Sequence, residues 1–351
     1  MSWVTVIWSM TASACLTLAL MNFFIWCRQR DAWANLLFAL VAVGTAAIAG
    51  IELAMMRAET TASFALALRW IYVPACVVIM ALAGFVRLYL KTGRLWLLWS
   101  ICGVRLLSLV LDFQIGQNLN FWKITNLRHI PFLGESVSVA EGVSNHWMLL
   151  AQASFVLLLI FVVDATITAW RFGDRQRALA IGGSVIFFVL AGTSEATLVL
   201  WQILHWPIIT SLPALATIGA MSFELSRDAQ RAAQLARDLH ESEQRMTQAA
   251  DAANLGVWIR DLVRNEIWAS DRWRMLLGFA PEEAIDFDGY LQKLHPSDRE
   301  AVRQTQMKAI GGEDSYETVY RVQLPNGGVR WIASRGRVEF NPAGKPRQAL
   351  R

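Results

Sequence analysis

Five ionisable residues stand inside long apolar runs of the chain: Glu52, Arg69, Arg105, Asp112 and Glu195. A charge retained in apolar surroundings is costly, so it pairs with an opposite charge, carries protons or meets a ligand. Glu52 and Arg69 lie eight and nine residues either side of Thr60, so an antiparallel helix pair brings them to similar depth. Arg105 stands about 15 Å into its run at 1.5 Å per residue. Asp112 follows two helical turns later on the same face, and Glu195 belongs to a later run. Two chemistries fit these residues. They form structural ion pairs, Glu52 with Arg69 and Arg105 with Glu195 or Asp112, or they line a polar signal pocket open to the outer side. The pattern leaves both open.

The runs that hold these residues are long. About 20 apolar residues cross a bilayer as a helix, and seven stretches qualify: Trp3–Cys27, Ala32–Met56, Phe64–Leu90, Leu95–Phe113, Trp147–Trp170, Ala178–Leu204 and Pro207–Phe223. Trp3–Cys27 lacks the basic start and short apolar core of a cleaved signal peptide. The loops after the first, third and fifth runs hold Arg28, Arg30, Lys91, Arg94, Arg171, Arg175 and Arg177; the alternate loops hold only Arg57, Lys123 and Arg128. Positive loops stay inside, which predicts an outer N-terminus and places everything after Phe223 in the cytoplasm. The 114–146 segment is long enough for an external cap. Trp122, Trp147, Trp170, Trp201 and Trp206 fall where interfacial aromatics are expected. Asp164 and Arg87 lie near inner helix ends, where a long side chain reaches water cheaply.

Composition agrees with a chain of two kinds of material. It has 351 residues, 55% hydrophobic and only 17% charged, against about 25% charged for soluble domains. Up to Phe223 there are 13 Lys/Arg and 9 Asp/Glu; the rest carries 19 of each. The net charge of +4 therefore belongs to the membrane half, and no basic face supports nucleic-acid binding. Cys15, Cys27, Cys76 and Cys102 all lie in apolar runs without disulfide or metal spacing, and read as small hydrophobes. His129, His146 and His205 near the outer face read as hydrogen-bonding residues rather than metal or haem ligands. The last run contains no lysine for a retinal linkage, and no repeated halves suggest a transporter.

From Glu224 to Ala253 there is neither Gly nor Pro. Leu225, Ala232, Leu235, Leu239, Ser242, Met246, Ala249 and Ala253 recur at heptad spacing, the seam of a parallel dimeric coiled coil with weak members. The alternative is a lone helix packed on its own domain.

After Leu255 the period changes to short strands. Gly256–Leu262 and Glu266–Ala269 alternate around Arg264-Asn265, a hairpin signal. Asp271–Leu277, ended by Gly278, Phe287–Leu294 and Arg299–Ile310, capped from Pro296-Ser-Asp298, read as helices. Glu317–Leu324 and Gly328–Val338 are strands joined by the Pro325-Asn-Gly-Gly328 turn. The order predicts an α+β domain with an antiparallel sheet. Trp258, Trp268, Trp273 and Trp331 read as core.

These residues carry a resemblance. Ala253-Asn-Leu-Gly-Val-Trp258, Trp268-Ala-Ser-Asp271, Leu276-Leu-Gly-Phe279, Leu294-His-Pro-Ser-Asp-Arg299, Tyr320-Arg-Val322 and Arg330-Trp-Ile-Ala-Ser-Arg-Gly336 resemble a PAS sensor domain over about 100 residues. The membrane half resembles, more weakly, the seven-helix input regions of bacterial sensor histidine kinases. The resemblance implies residues 1–223 as a seven-transmembrane input domain, 224–253 as a signalling coiled coil and 254–351 as a PAS domain, truncated at its last strand. It further implies an inner-membrane location, a homodimer in the lipid bilayer, and a response regulator met through a transmitter missing here. ATP would belong to that missing part.

No cofactor is evident: no cysteine follows Cys102 for a flavin adduct, and His295 reads as a cap or turn residue. No catalytic or metal-ligating residue is assigned. His240 lacks a following kinase domain, and Gly311–Ser315 reads as a loop rather than a diguanylate cyclase signature. The alternatives are the input of a cyclic-di-GMP enzyme or a stand-alone membrane PAS sensor.

Overall fold

The computed structural model describes all residues except Met1, Gln202, Asn254, Asp314, Pro325, Asn326, residues 341–345 and Arg351. The chain divides into two compact units, Met1–Arg231 and Ala232–Arg351.

The first unit is helical. α1 (Trp3–Arg28) begins where the Ser2 hydroxyl accepts from Thr5 N at 3.2 Å, an N-cap that satisfies a free helix donor. α2 (Trp33–Met56) follows. The expected single helix Phe64–Leu90 is two, α3 (Thr61–Trp70) and α4 (Tyr72–Leu90). Pro74 explains the break: it has no N–H, and its ring crowds the carbonyl four residues back, at Trp70. Between α4 and α5 (Leu95–Gln114), Gly93 turns the chain at φ 97°. A Cβ there would come within 2.7 Å of the Phe161 ring.

The segment expected only as a cap is a β-hairpin, β1 (Phe121–Phe132) with β2 (Glu135–Ser144), paired antiparallel. Its two turn residues, Leu133 and Gly134, both have positive φ, 50° and 80°, the backbone of a tight hairpin turn. α6 (Met148–Arg171) leads to α7 (Arg175–Arg177), which runs through a π-helical segment, Ala178–Gly182, into α8 (Gly183–Leu200).

Among the described residues, six stretches are long and apolar enough to cross a membrane: Trp3–Arg28, Trp33–Met56, Thr61–Leu90, Leu95–Gln114, Met148–Arg171 and Arg175–Val199. The seventh expected run starts at Ser211 rather than Pro207 and forms the first part of α9 (Ser211–Ala252), which continues into charged sequence. The unit packs around Phe38, Phe85, Ile101, Leu158, Phe161 and Ile181. Met10, Phe24, Trp99 and Phe187 are exposed on its outer faces.

The second unit contains the rest of α9 and an α+β fold. β3 (Trp258–Asp261) pairs with β4 (Glu266–Ala269). α10 (Asp271–Leu277) is capped by Ser270 and stopped by Gly278 at φ 75°. α11 (Phe287–Lys293) is capped by Asp286, whose carboxylate accepts from Gly289 N at 2.7 Å. α12 (Pro296–Lys308) precedes β5 (Ser315–Gln323), β6 (Val329–Phe340) and β7 (Pro346–Leu350). The sheet order is β4-β3-β7-β6-β5, antiparallel throughout, so β7 lies at the centre. Trp258, Trp273, Phe287, Tyr290, Leu294 and Tyr320 fill the core.

Three expectations for this unit are corrected. Trp268 and Trp331 are 60% and 67% exposed, not core, because strand alternation turns them to the open face of the sheet. α12 starts at Pro296 with His295 as N-cap, so Asp298 lies inside the helix instead of capping it. The loop expected at Gly311–Ser315 is a π-helical turn, Ala309–Glu313, followed by β5. Pro325 and Asn326 of the expected turn and Arg351 lie outside the described residues.

Candidate functional site

Of the five residues singled out in the apolar runs, two hold the start of α9. The Glu52 side chain is fully buried. Its Oε1 accepts from Thr210 N at 2.7 Å, Thr210 Oγ1 at 2.7 Å and Ser211 N at 3.0 Å. Its Oε2 accepts from Trp8 Nε1 at 2.8 Å and Ser211 Oγ at 2.5 Å. A helix start leaves free N–H donors and a partial positive charge; a carboxylate from α2 supplies both needs. Pro213, in the first turn, has no N–H to satisfy. Glu195 adds a second tie from α8, its Oε1 accepting from Ile209 N at 2.5 Å. Two carboxylates thus grip residues 209–211.

Two others hold the chain after α5. Asp112 Oδ1 accepts from Leu119 N at 2.6 Å, and Arg69 donates to the Gly116 carbonyl at 2.9 Å. The expected ion pairs are not formed. Among the described residues no ion pair joins Glu52 to Arg69, or Arg105 to Asp112 or Glu195. Backbone groups freed at helix ends compete for these carboxylates and win.

Arg105 is the one left without an acceptor. It is 3% exposed, and its Nε has no hydrogen-bond partner among the described residues. Its guanidinium lies over two rings instead, 5.4 Å from the centroid of Tyr72 and 5.5 Å from that of Phe155, contacts that stabilise a cation weakly. Arg105 borders a cavity of about 120 Å³. Ile79, Gln152, Phe155, Gly192 and Thr193 also line it, as do Ile208 and Thr210 from the segment the carboxylates grip. The Thr193 hydroxyl likewise has no partner among the described residues. Tyr72, Gln152 and Thr193 do not stand out in the sequence because neutral polar residues are common in apolar helices; the small pair Gly192-Thr193 is the available signal.

At the other end of this part of α9, Asp228 accepts from Tyr89 Oη at 2.6 Å and from Arg177 at 2.8 Å. The inner-end charges expected to reach water have local partners: Asp164 pairs with Arg94 at 3.7 Å, and Arg87 donates to the Gly93 carbonyl.

In the second unit, Asp298 takes three hydrogen bonds from Arg321: backbone N at 2.9 Å, Nε at 3.0 Å and a terminal nitrogen at 2.6 Å. That arrangement locks α12 to β5. His295, expected as a cap or turn residue, accepts from Ser297 N. The space among Trp258, Arg260, Tyr290 and Tyr320 is only about 10 Å³, at the lower limit for one water.

Residues 266–350 match the family model of the PAS fold. That segment of the second unit is similar to PAS domains. A blue-light-activated histidine kinase of Brucella anthropi is 25% identical over 134 residues, 38% of this chain and 26% of that protein. A sensory box histidine kinase/response regulator structure from Burkholderia thailandensis has 28% identity, covering 30% of this chain and 79% of that one, with a TM-score of 0.27. The N-terminal domain of a diguanylate cyclase with a PAS/PAC sensor from Marinobacter aquaeolei has 19% identity, covering 27% and 88%, with a TM-score of 0.26. The chain spans about a quarter or less of the length of the curated relatives it matches.

Proposed function

We propose that the chain is the membrane input module of a sensor histidine kinase, in which a helical bundle biases the position of α9 and thereby of the PAS domains in a dimer. The observation that carries this reading is the attachment of α9. Its start is gripped by Glu52 and Glu195, and its Asp228 is held by Tyr89 and Arg177. Ser211 and Asp228 are 17 residues apart in sequence, about 26 Å of helix at 1.5 Å per residue. That length is close to the roughly 30 Å hydrocarbon thickness, which supports α9 as a seventh crossing from outside to inside. Each grip can hold or release, and a change of partner at either end shifts α9 between two packings.

Beyond Arg231, Leu235, Leu239 and Met246 are 70%, 63% and 78% exposed. This apolar stripe at heptad spacing supports pairing with a second copy of α9. Leu225, the first expected member of the seam, packs on the bundle core instead. The blue-light chemistry named for the Brucella relative is not carried over, because no cysteine follows Cys102 to form a flavin adduct.

The test is a fusion of this chain to a histidine-kinase transmitter, reconstituted in membranes. Glu52→Gln, which keeps the volume but weakens the grip, should change autophosphorylation several-fold; an unchanged rate overturns the reading. A cyclic-di-GMP output, the second reading, is distinguished by the gene sequence beyond codon 351.

A further inference from the structure

We infer that the cavity beside Arg105 binds a small monocarboxylate, its charge on the guanidinium and its apolar body among the surrounding side chains. This deepens the proposed input role and rests on it. A buried guanidinium with no acceptor among the described residues is a donor set awaiting an anion, since a planar fork of N–H groups matches a carboxylate. Asp112 commits its Oδ1 to Leu119 N and keeps Oδ2 buried and unpartnered, but it makes no ion pair with Arg105 among the described residues, so the guanidinium's own donors stay open. The Thr193 hydroxyl and the Gln152 amide offer further polar contacts, and Ile79, Phe155 and Phe188 offer apolar ones. A single cation selects a monoanion over a dianion. Size follows from volume: an apolar cavity of about 150 Å³ accepts the six carbons of benzene, so about 120 Å³ fits an apolar body of about five non-hydrogen atoms or fewer. Short-chain acids meet both conditions.

The cavity also explains how such a ligand would reach α9. Thr210 lines it and donates its hydroxyl to Glu52. A carboxylate on Arg105 would therefore change the surroundings of the very residue that holds the α9 start.

The probes are butanoate and pentanoate, with butanol and pentanol as neutral counterparts, titrated calorimetrically into the full chain in lipid nanodiscs. The acids should bind saturably and at least tenfold more tightly than the alcohols. Arg105→Met should remove that preference. Gly192→Leu should abolish binding while leaving Arg105 in place, because a Cβ at Gly192 meets open space; it keeps the question decidable should Arg105→Met not fold. Equal binding of acids and alcohols, no binding of either acid, or unaltered binding by Gly192→Leu overturns the proposal. Cross-linking of Leu239→Cys is read in parallel. Acid binding that leaves cross-linking unchanged would sink the input role and keep the site; absent binding would sink the site and leave the input role to its own test.

Discussion

Glu52 and Ser211, 159 positions apart in the chain, are joined by a hydrogen bond of 2.5 Å. With the Trp8 indole and Thr210, the pair makes one carboxylate the meeting point of α1, α2 and α9. Glu52→Ala would leave the two backbone N–H groups, two hydroxyls and the indole without their acceptor. The expected loss is at least about 3 kcal/mol, since a buried donor left unsatisfied costs about 1–3 kcal/mol. Glu195→Ala, which frees one N–H, should cost about 1 kcal/mol. Thermal unfolding in detergent ranks the two, and equal losses would contradict the geometry.

The inner end of the same helical segment is held more lightly. Tyr89→Phe removes one hydroxyl from Asp228 and should cost about 1 kcal/mol. The expected signature is local: faster amide exchange over residues 224–231, with the core around Phe38 and Phe161 unaffected.

In the PAS domain, Arg321 lowers the Asp298 pKa from 3.8 to about 2 by side-chain and backbone hydrogen bonds. A depressed carboxylate pKa means the unfolded chain binds its proton first as pH falls. The pair's contribution is thus complete above about pH 4, and is lost as pH falls through the folded value of about 2. Asp298→Asn should flatten that part of the stability profile. Amide protection of β5, corrected for intrinsic exchange rates, reads it; an unchanged slope between wild type and variant would refute the assignment.

Cysteines at Leu235 or Leu239 should cross-link between copies more readily than at Arg237, which lies off the heptad seam. Uniform cross-linking along 235–239 would favour a helix that does not pair.

Reporter fusions at Arg30, Arg94 and Arg175 should all report the cytoplasmic side. A periplasmic result at any one of them breaks the proposed topology.

Much of the architecture was visible in the residues. Apolar runs mark the helices long enough to cross a membrane, and Ser270, Asp286 and Gly278 punctuate their helices as short-range chemistry dictates. The partners of the buried charges were not visible. Charge complementarity pointed Glu52 at Arg69, whereas a helix start 158 residues away supplies its donors. That start was itself readable: Thr210-Ser211-Leu-Pro213 combines capping residues with a proline in the first turn. The β1–β2 hairpin was missed because Leu133 adopts positive φ without being glycine, so only Gly134 signalled the turn.

The central place of β7 bears on how the PAS domain is made in a cell. Hairpins β3–β4 and β5–β6 share no edge; Arg260 pairs with Ala349 and Val338 pairs with Ala349, so one strand joins both. A ribosome releases that strand after the other four, and joining β3 to β7 closes a loop of about 90 residues, a non-local step that slows folding. Until then two strand edges stand open to other chains, as unpaired edges do in nascent proteins. Chaperones that shield the open edges in that interval should raise the yield of folded domain without altering the stability of the finished sheet.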